Sequence, residues 1–201
     1  EIEGLKIGET GKLIDHRIHE FEDIGKNANY SIFKELCFCI LTANFNADRG
    51  VKIQNDINGG FLNMPESSLA SRLKQLGHRF PNARASYIVE ARKHRDSLTE
   101  IVEERKERIA REWLVKNIKG IGYKEASHFL RNIGKGNVAI VDFHIIDLLV
   151  KYNIISRPKV LNRNKYVEVE NILTGIAERS GMSLGKLDLY LWYIETGKIL
   201  K

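Results

Sequence analysis

One segment restricts the fold more than any other: YSIFKELCFCILTANFN, Tyr30 to Asn46. As a helix it is apolar nearly all round, so it has no face suited to water. It must sit at the centre with other elements covering it. Those elements read as amphipathic helices. IDHRIHEFEDIGKN, Ile14 to Asn27, places apolar residues near three- and four-residue spacing. GVKIQNDINGGFLNM reaches a helix stop at Gly59 and Gly60, and Pro65 opens the next helix from a first-turn position, closed by Gly77. Pro81 begins another helix, with Tyr87, Ile88 and Ala91 on one face. LTEIVEERKERIAREWLVKN reads as one charged surface helix around Glu103–Arg108. YVEVENILTGIAERSG and SLGKLDLYLWYIETGKIL complete the set. VAIV, Val138 to Val141, is β-branched but only four residues long, which makes it a connector rather than part of a sheet.

The expected fold is therefore all-α with short loops. A chain of 201 residues fits one domain or two small ones sharing a cleft. The GKGN turn, Gly134 to Asn137, is the natural boundary. Residues 30–136 would form one lobe of a six-helix type, ending in a helical hairpin. Residues 1–29 and 137–201 would form a second helical lobe carrying Asp142 and the C-terminus. Lys124 and Asp142 would then stand on the cleft between two helical lobes.

Composition narrows the function classes. With 43% hydrophobic residues the chain is a folded protein rather than a disordered one. No run approaches the roughly 18 apolar residues of a membrane span, and EIEGLKIGET has no signal-peptide core, so an intracellular protein without membrane attachment is expected. Cys37 and Cys39 lie inside the apolar helix with no partner cluster, and read as small buried hydrophobes. No cofactor is expected. A net charge of +6 permits nucleic-acid binding but is equally compatible with a solvated basic surface.

The stretch VKNIKGIGYKEASHFLRNIG adds a phosphate site. Two helices meet at a tight turn holding Gly120 and Gly122, with apolar Ile118 and Ile121 packing the hairpin. N–H groups of such a turn, aimed along the next helix, hold an anion such as a DNA phosphate. The plainer alternative is a helix connection whose glycines are caps. Lys124 follows the turn, but an amine is a nucleophile only when neutral, and an exposed lysine is charged at pH 7. Alone it reads as a solvated lysine. Asp142, before the amphipathic FHIIDLLVKY, reads as an N-cap. A capping carboxylate is also rigidly held, so both roles can coexist.

KGIGYKEASHFL followed by AIVDFH resembles the helix-hairpin-helix–Gly/Pro-rich–Asp superfamily of DNA base-excision glycosylases. The resemblance rests on Gly120, Gly122, Lys124, Val141, Asp142 and His144, with the aspartate 18 positions after the lysine. The one departure is that GKGN has no proline. A lysine at this place marks the bifunctional glycosylase/lyases. Within the superfamily the chain is most similar to the archaeal-type 8-oxoguanine DNA glycosylase/lyases. It has no cysteine quartet after the aspartate. LTANFNADR and GHRFPNARASYI are similar to that group's Asn-rich and Arg-Phe segments. The chain stops at a lysine soon after LDLYLWY.

The resemblance implies a helix-hairpin-helix DNA glycosylase fold, acting as a monomer on double-stranded DNA containing 8-oxoguanine, in a prokaryotic cytoplasm or nucleoid. It implies that the damaged nucleotide is flipped out. Lys124 would attack the sugar, and Asp142 would stabilise the developing positive charge. Trp192 and Phe80 would stack on the base; for Phe80 a place in the core is an equal alternative. Lys201 would take part in telling 8-oxoguanine from guanine, so deleting it or adding a C-terminal tag should cost selectivity more than DNA affinity. Lys119, Gly120, Gly122 and His144 would hold the backbone. Asn44, Asn46 and Arg49 would fill the gap or read the opposite base. Carbonyls of Lys116, Ile118 and Ile121 would hold a structural cation, leaving the reaction resistant to a chelator. Two alternatives stay open: a non-catalytic helix-hairpin-helix DNA-binding module, and a glycosylase for another oxidised base.

Overall fold

The computed structural model describes residues 1–27 and 29–201. Those residues form helices joined by short loops, with no strand among them. In chain order the helices are α1 (Ile2–Ile7), α2 (Glu9–Lys26), α3 (Asn29–Thr42), α4 (Ala47–Ile57), α5 (Gly60–Asn63), α6 (Glu66–Gln75) and α7 (Pro81–Ala91). A 3-10 turn at Arg92–His94 leads to α8 (Leu98–Glu103), α9 (Glu107–Asn117) and α10 (Tyr123–Asn132). Then follow α11 (Phe143–Lys151), α12 (Arg163–Arg179) and α13 (Leu184–Thr196). The all-α expectation holds.

Helix α3 is the centre that its composition demands. From Ile32 to Thr42 every residue except Lys34 is buried, and α2, α4, α7, α8 and α10 pack around it. Glu35 is the one carboxylate in that buried stretch. Buried apolar side chains fall into three clusters. The largest runs from Ile32 to Val138 around α3. A second runs from Ala139 to Leu191 and joins α11, α12 and α13. The third ties Ile14 and Phe21 of α2 to Leu189 and Tyr190 of α13. No helix among the described residues is long and apolar enough to cross a membrane.

Three local expectations are corrected. The charged segment after Leu98 is two helices, α8 and α9, broken at Glu104–Lys106. Helix α8 buries Leu98, Ile101 and Val102. Continued in register, it would turn Arg105 and Ile109 inward. The break re-phases the chain so that α9 buries Ala110, Arg111 and Leu114, and Ile109 stays exposed. The stop after α4 comes at Asn58, with φ 42, and Gly60 opens α5 instead of ending a helix. Asparagine tolerates that left-handed region better than most residues. Pro65 is extended, with ψ 147, and stands at the N-cap of α6 rather than inside its first turn.

Candidate active site

The hairpin between α9 and α10 is built by its glycines and isoleucines. Gly120 has φ +85, and an added Cβ would lie 2.3 Å from Cδ2 of Tyr87. Only glycine meets both demands. Ile118 and Ile121 are buried in the largest cluster and anchor the turn. Gly122 caps α10, and its N–H donates to Oε2 of Glu125 at 3.1 Å. An internal carboxylate therefore already sits on one N–H of the expected anion site. Lys119 is exposed, 3.8 Å from a Glu90 carboxylate and over the Tyr87 ring. The carbonyls of Lys116 and Ile121 accept no hydrogen bond among the described residues.

Lys124 falls in the first turn of α10 and is half-buried. The chain then crosses GKGN. Gly136 accepts a hydrogen bond from Gly185 N at 2.8 Å, and a Cβ on Gly185 would come within 3.2 Å of Gly136 Cα. This close crossing fixes the loop against α13 without a proline. Val138–Val141 follows as an irregular connector with no strand among the described residues. Three of its backbone polar groups are satisfied by side chains of α12 instead. Ala139 N donates to Glu170 at 2.9 Å, and the Tyr166 hydroxyl lies 2.7 Å from Ala139 O and 3.1 Å from Val141 N. Asp142 then caps α11, accepting from Ile145 N at 3.0 Å. The N-cap reading of Asp142 is what the structure has.

Lys124 and Asp142 line one cavity of about 530 Å³. Its wall also carries Phe45, His128, Arg131, Asp188, Trp192 and Lys201. The His144 ring, also on the wall, meets Trp192 edge-on, with centroids 5.0 Å apart. Nε1 of Trp192 and both ring nitrogens of His128 are buried without a partner among the described residues. Unpaired buried polar atoms around a cavity suit a polar occupant. Burial holds His128 well below the usual imidazole range, and the Arg131 and Lys124 cations add to the effect. Burial pushes the Asp188 carboxyl up to about 6 although Arg131 pairs with it.

The Lys201 ammonium is seated on the same cavity wall. It donates to Oε2 of Glu35 at 2.8 Å and to Oε1 of Gln54 at 2.6 Å, and lies 4.5 Å from the centroid of the Phe38 ring. Glu35 is itself fixed by Asn132 Nδ2 at 2.7 Å. Asn132 accepts from Arg131, which pairs with Asp188. A continuous line of buried polar groups thus runs from Lys201 to the wall beside Lys124.

Of the other residues singled out in the sequence, Asn46 lines the cavity and caps α4 through Arg49 N at 3.0 Å. Asn44 is exposed with φ 56 at the end of α3. Arg49 donates to Gly77 O at 2.7 Å and lies over Phe45. Phe80 is not part of the cavity wall. Its ring is 37% exposed between the guanidiniums of Arg79 and Arg84, and its N–H bonds His78, whose ring stacks on Phe45. It therefore stands one ring behind the aromatic that does line the wall. Sequence reasoning missed Glu35, Gln54, Arg131 and Asp188. Two of them left a signal: Glu35 and Asp188 are carboxylates within otherwise apolar helical runs, where a charge needs a buried partner.

Comparison with known proteins gives a consistent picture. The profile of a family described as 8-oxoguanine DNA glycosylase matches residues 14–182. The chain is 54% identical over 203 residues to the 8-oxoguanine DNA glycosylase/AP lyase of Methanocaldococcus jannaschii, covering 100% of this chain and 98% of that one. It is 53% identical over 199 residues to the protein of that description from Korarchaeum cryptofilum, covering 98% and 94%. A crystal structure of the M. jannaschii 8-oxoguanine glycosylase/lyase with a 15mer DNA containing 8-oxoguanine matches with a TM-score of 0.95 at 53% identity, over 100% of this chain and 97% of that one.

Proposed function

Because this chain belongs to the 8-oxoguanine DNA glycosylase family, we propose that it excises 8-oxoguanine from double-stranded DNA and then cuts the strand as a lyase. The observation that carries the chemistry is that Lys124 and Asp142, 18 residues apart in sequence, line one cavity together with Trp192. The target nucleotide is turned out of the duplex into that cavity. Neutral Lys124 attacks C1′ of the sugar, and the C1′–N9 bond breaks with its electron pair going to the base, which takes up a proton. The amine loses a proton, the sugar ring opens, and a Schiff base forms. Removal of a C2′ proton then expels the 3′ phosphate by β-elimination. Asp142, held rigid as a cap, stabilises positive charge developing on the sugar.

Recognition falls to Lys201 and the groups around it. Guanine N7 accepts a hydrogen bond, whereas in 8-oxoguanine that nitrogen carries a hydrogen and donates. A fixed acceptor facing it rejects the normal base, because two lone pairs are then opposed. A main-chain oxygen of Lys201 supplies that acceptor, and the seat that Glu35, Gln54 and Phe38 make for the ammonium of the same residue supports the reading. Trp192 stacks on one face of the base; Phe80, expected on the other face, stands outside the cavity wall beside His78. Lys119, Gly120, Gly122 and His144 hold the DNA backbone, and Asn44, Asn46 and Arg49 fill the gap or read the opposite base. Carbonyls of Lys116, Ile118 and Ile121 hold a structural cation on DNA binding. Residues 30–136 act as one lobe and 1–29 with 137–201 as the other, a division supported by the separate apolar clusters. The protein works as a monomer in a prokaryotic cytoplasm, beside the chromosome; its relatives come from archaea and Thermotoga.

Borohydride trapping tests this. Duplexes with one 8-oxoguanine, undamaged guanine or thymine glycol are incubated with the protein and its Lys124→Gln variant, in chelator. A covalent adduct is expected on the 8-oxoguanine strand alone, and none with the variant. An adduct that survives in the variant would remove Lys124 from the chemistry; an adduct confined to thymine glycol would change the substrate.

A further inference from the structure

We propose that the hydroxyl of Tyr166 is a positioning group that sets Lys124 against Asp142. The inference rests on the reading that those two residues do the chemistry. Tyr166 belongs to α12, 24 residues past Asp142 in sequence, and it is buried, with 3% exposure. A phenylalanine would fill the same space in the second apolar cluster. The hydroxyl therefore has to be explained by its polar partners, and these lie on the two segments that carry the reactive side chains.

Its oxygen is 2.7 Å from Ala139 O, 3.1 Å from Val141 N and 3.2 Å from Ser127 Oγ. A phenol has one proton and accepts through its lone pairs. The proton goes to Ala139 O, the shortest contact and a pure acceptor. The Val141 N–H and the Ser127 hydroxyl then donate to the phenol oxygen. Ser127 Oγ in turn accepts from Nη1 of Arg111 at 3.2 Å. Nη2 of Arg111 donates to Glu170 Oε2 at 2.8 Å, and Oε1 of that carboxylate accepts from Ala139 N at 2.9 Å. The bonds form a closed ring, which Arg111 Nη1 braces by donating to Glu170 Oε1 as well, at 2.5 Å. Such a ring has one arrangement and resists displacement.

The ring spans the catalytic pair. Ser127 is one turn after Lys124 on α10, and the carbonyl of Tyr123, the residue before Lys124, is 3.4 Å from the same hydroxyl. Asp142 follows Val141 directly. Helix α10 is packed into the largest apolar cluster, whereas the connector opens the second. Among the described residues, the Tyr166 oxygen bonds both segments at once. Burial raises this phenol far above its ordinary value, so it stays protonated and the bonds persist through neutral and alkaline conditions.

The test compares Tyr166→Phe with Val169→Ala, a truncation on the same helix, in the same cluster, that touches neither segment by a polar bond. Both are assayed below their melting points by single-turnover excision and borohydride trapping on the 8-oxoguanine duplex. Binding is measured separately in the Lys124→Gln background. Tyr166→Phe is expected to slow excision and trapping by about ten- to a hundred-fold, the scale of a misplaced reacting group, while the dissociation constant stays within about two-fold. Val169→Ala is expected to keep the wild-type rate within about two-fold. A Tyr166→Phe rate equal to wild type, or an equal slowing in Val169→Ala, would overturn the positioning role. If Tyr166→Phe does not fold, Ser127→Ala cuts the link to α10 and leaves Arg111 held by Glu170; it should slow the reaction several-fold, and an unchanged rate would overturn the role. A wild type that forms no adduct on any damaged duplex would overturn the proposed chemistry itself, and the role with it.

Discussion

On the proposed function the cavity has a reacting end around Lys124 and Asp142 and a reading end around Lys201, and the two are built in opposite ways. At the reacting end, each side chain starts from a local cue, and Tyr166 ties the two segments together. Lys124 stands where the turn of Gly120 and Gly122 starts α10, and Asp142 stands where a cap starts α11. At the reading end, Lys201 is held by Glu35 and Gln54, residues 166 and 147 positions away. A local motif defines the first end, and long-range packing defines the second. The two should therefore fail differently when cut.

The largest effect belongs to the reacting end. Lys124→Gln should remove the trapped adduct and lower strand cleavage by ~10³-fold or more, because it takes away the proposed nucleophile. Affinity for an 8-oxoguanine duplex should persist, with its preference over guanine intact. A gel-shift comparison of the two duplexes reads this directly; loss of the preference would mean that the two ends are not separable.

Glu35→Gln cuts the reading end. Glu35 is 2% exposed and accepts from Lys201, Gln54 and Asn132. Losing its charge leaves the Lys201 ammonium with a weaker seat and puts an amide N–H group among donors. A charge-assisted buried hydrogen bond contributes about 1.5–3 kcal/mol. Discrimination of 8-oxoguanine from guanine should fall by roughly ten- to a hundred-fold, with affinity for undamaged DNA unchanged. Parallel titrations with both duplexes check it, and equal losses on both would merge this region with general DNA binding.

The same contrast explains what could be read in the sequence. A turn and a cap are short, and their residue types follow from backbone needs, so Gly120, Gly122 and Asp142 announce themselves. The all-α fold was legible because α3 has no polar face and so dictates a shell of helices. The seat of Lys201 was not legible, because no spacing relates position 201 to positions 35 and 54 until the helices are packed. Glu35 was at least conspicuous as a carboxylate amid apolar residues. The break between α8 and α9 was hidden for a related reason. Nothing in the charge pattern required it; the burial of Arg111 against Glu170 did.

The hairpin offers a smaller test of local determination. Gly120→Ala forces a Cβ onto the Tyr87 ring at φ +85, whereas Gly122 has φ −100 and the nearest atom to its Cβ is a movable Glu125 oxygen at 3.3 Å. Gly120→Ala should cost about 1–3 kcal/mol of stability and Gly122→Ala much less. Denaturant melts of the two variants would show it, and equal costs would mean that the turn, not the ring contact, sets the requirement.

His128 joins the two ends and gives the smallest effect. It lies one turn after Lys124 on α10, and its ring meets Phe38 edge-on with centroids 5.6 Å apart. Phe38 is also the ring beneath the Lys201 ammonium. Lys124, Arg131 and Lys201 thus surround a histidine that burial already keeps neutral, its titration shifted well below the ordinary range. In the unfolded chain the same imidazole takes up a proton below about pH 6.5. Between that value and the lower native one, the unfolded state binds more protons, so stability falls as pH falls. The contribution is fully present above about pH 6.5 and is lost progressively below it. His128→Gln is neutral throughout and lacks this slope. Its stability deficit against wild type should therefore narrow by about 1 kcal/mol between pH 7.5 and 5.5, as read from denaturant melts at the two values. A constant gap would mean that the native imidazole titrates as freely as the unfolded one, and that the wall between the reacting and reading ends admits a charge without penalty.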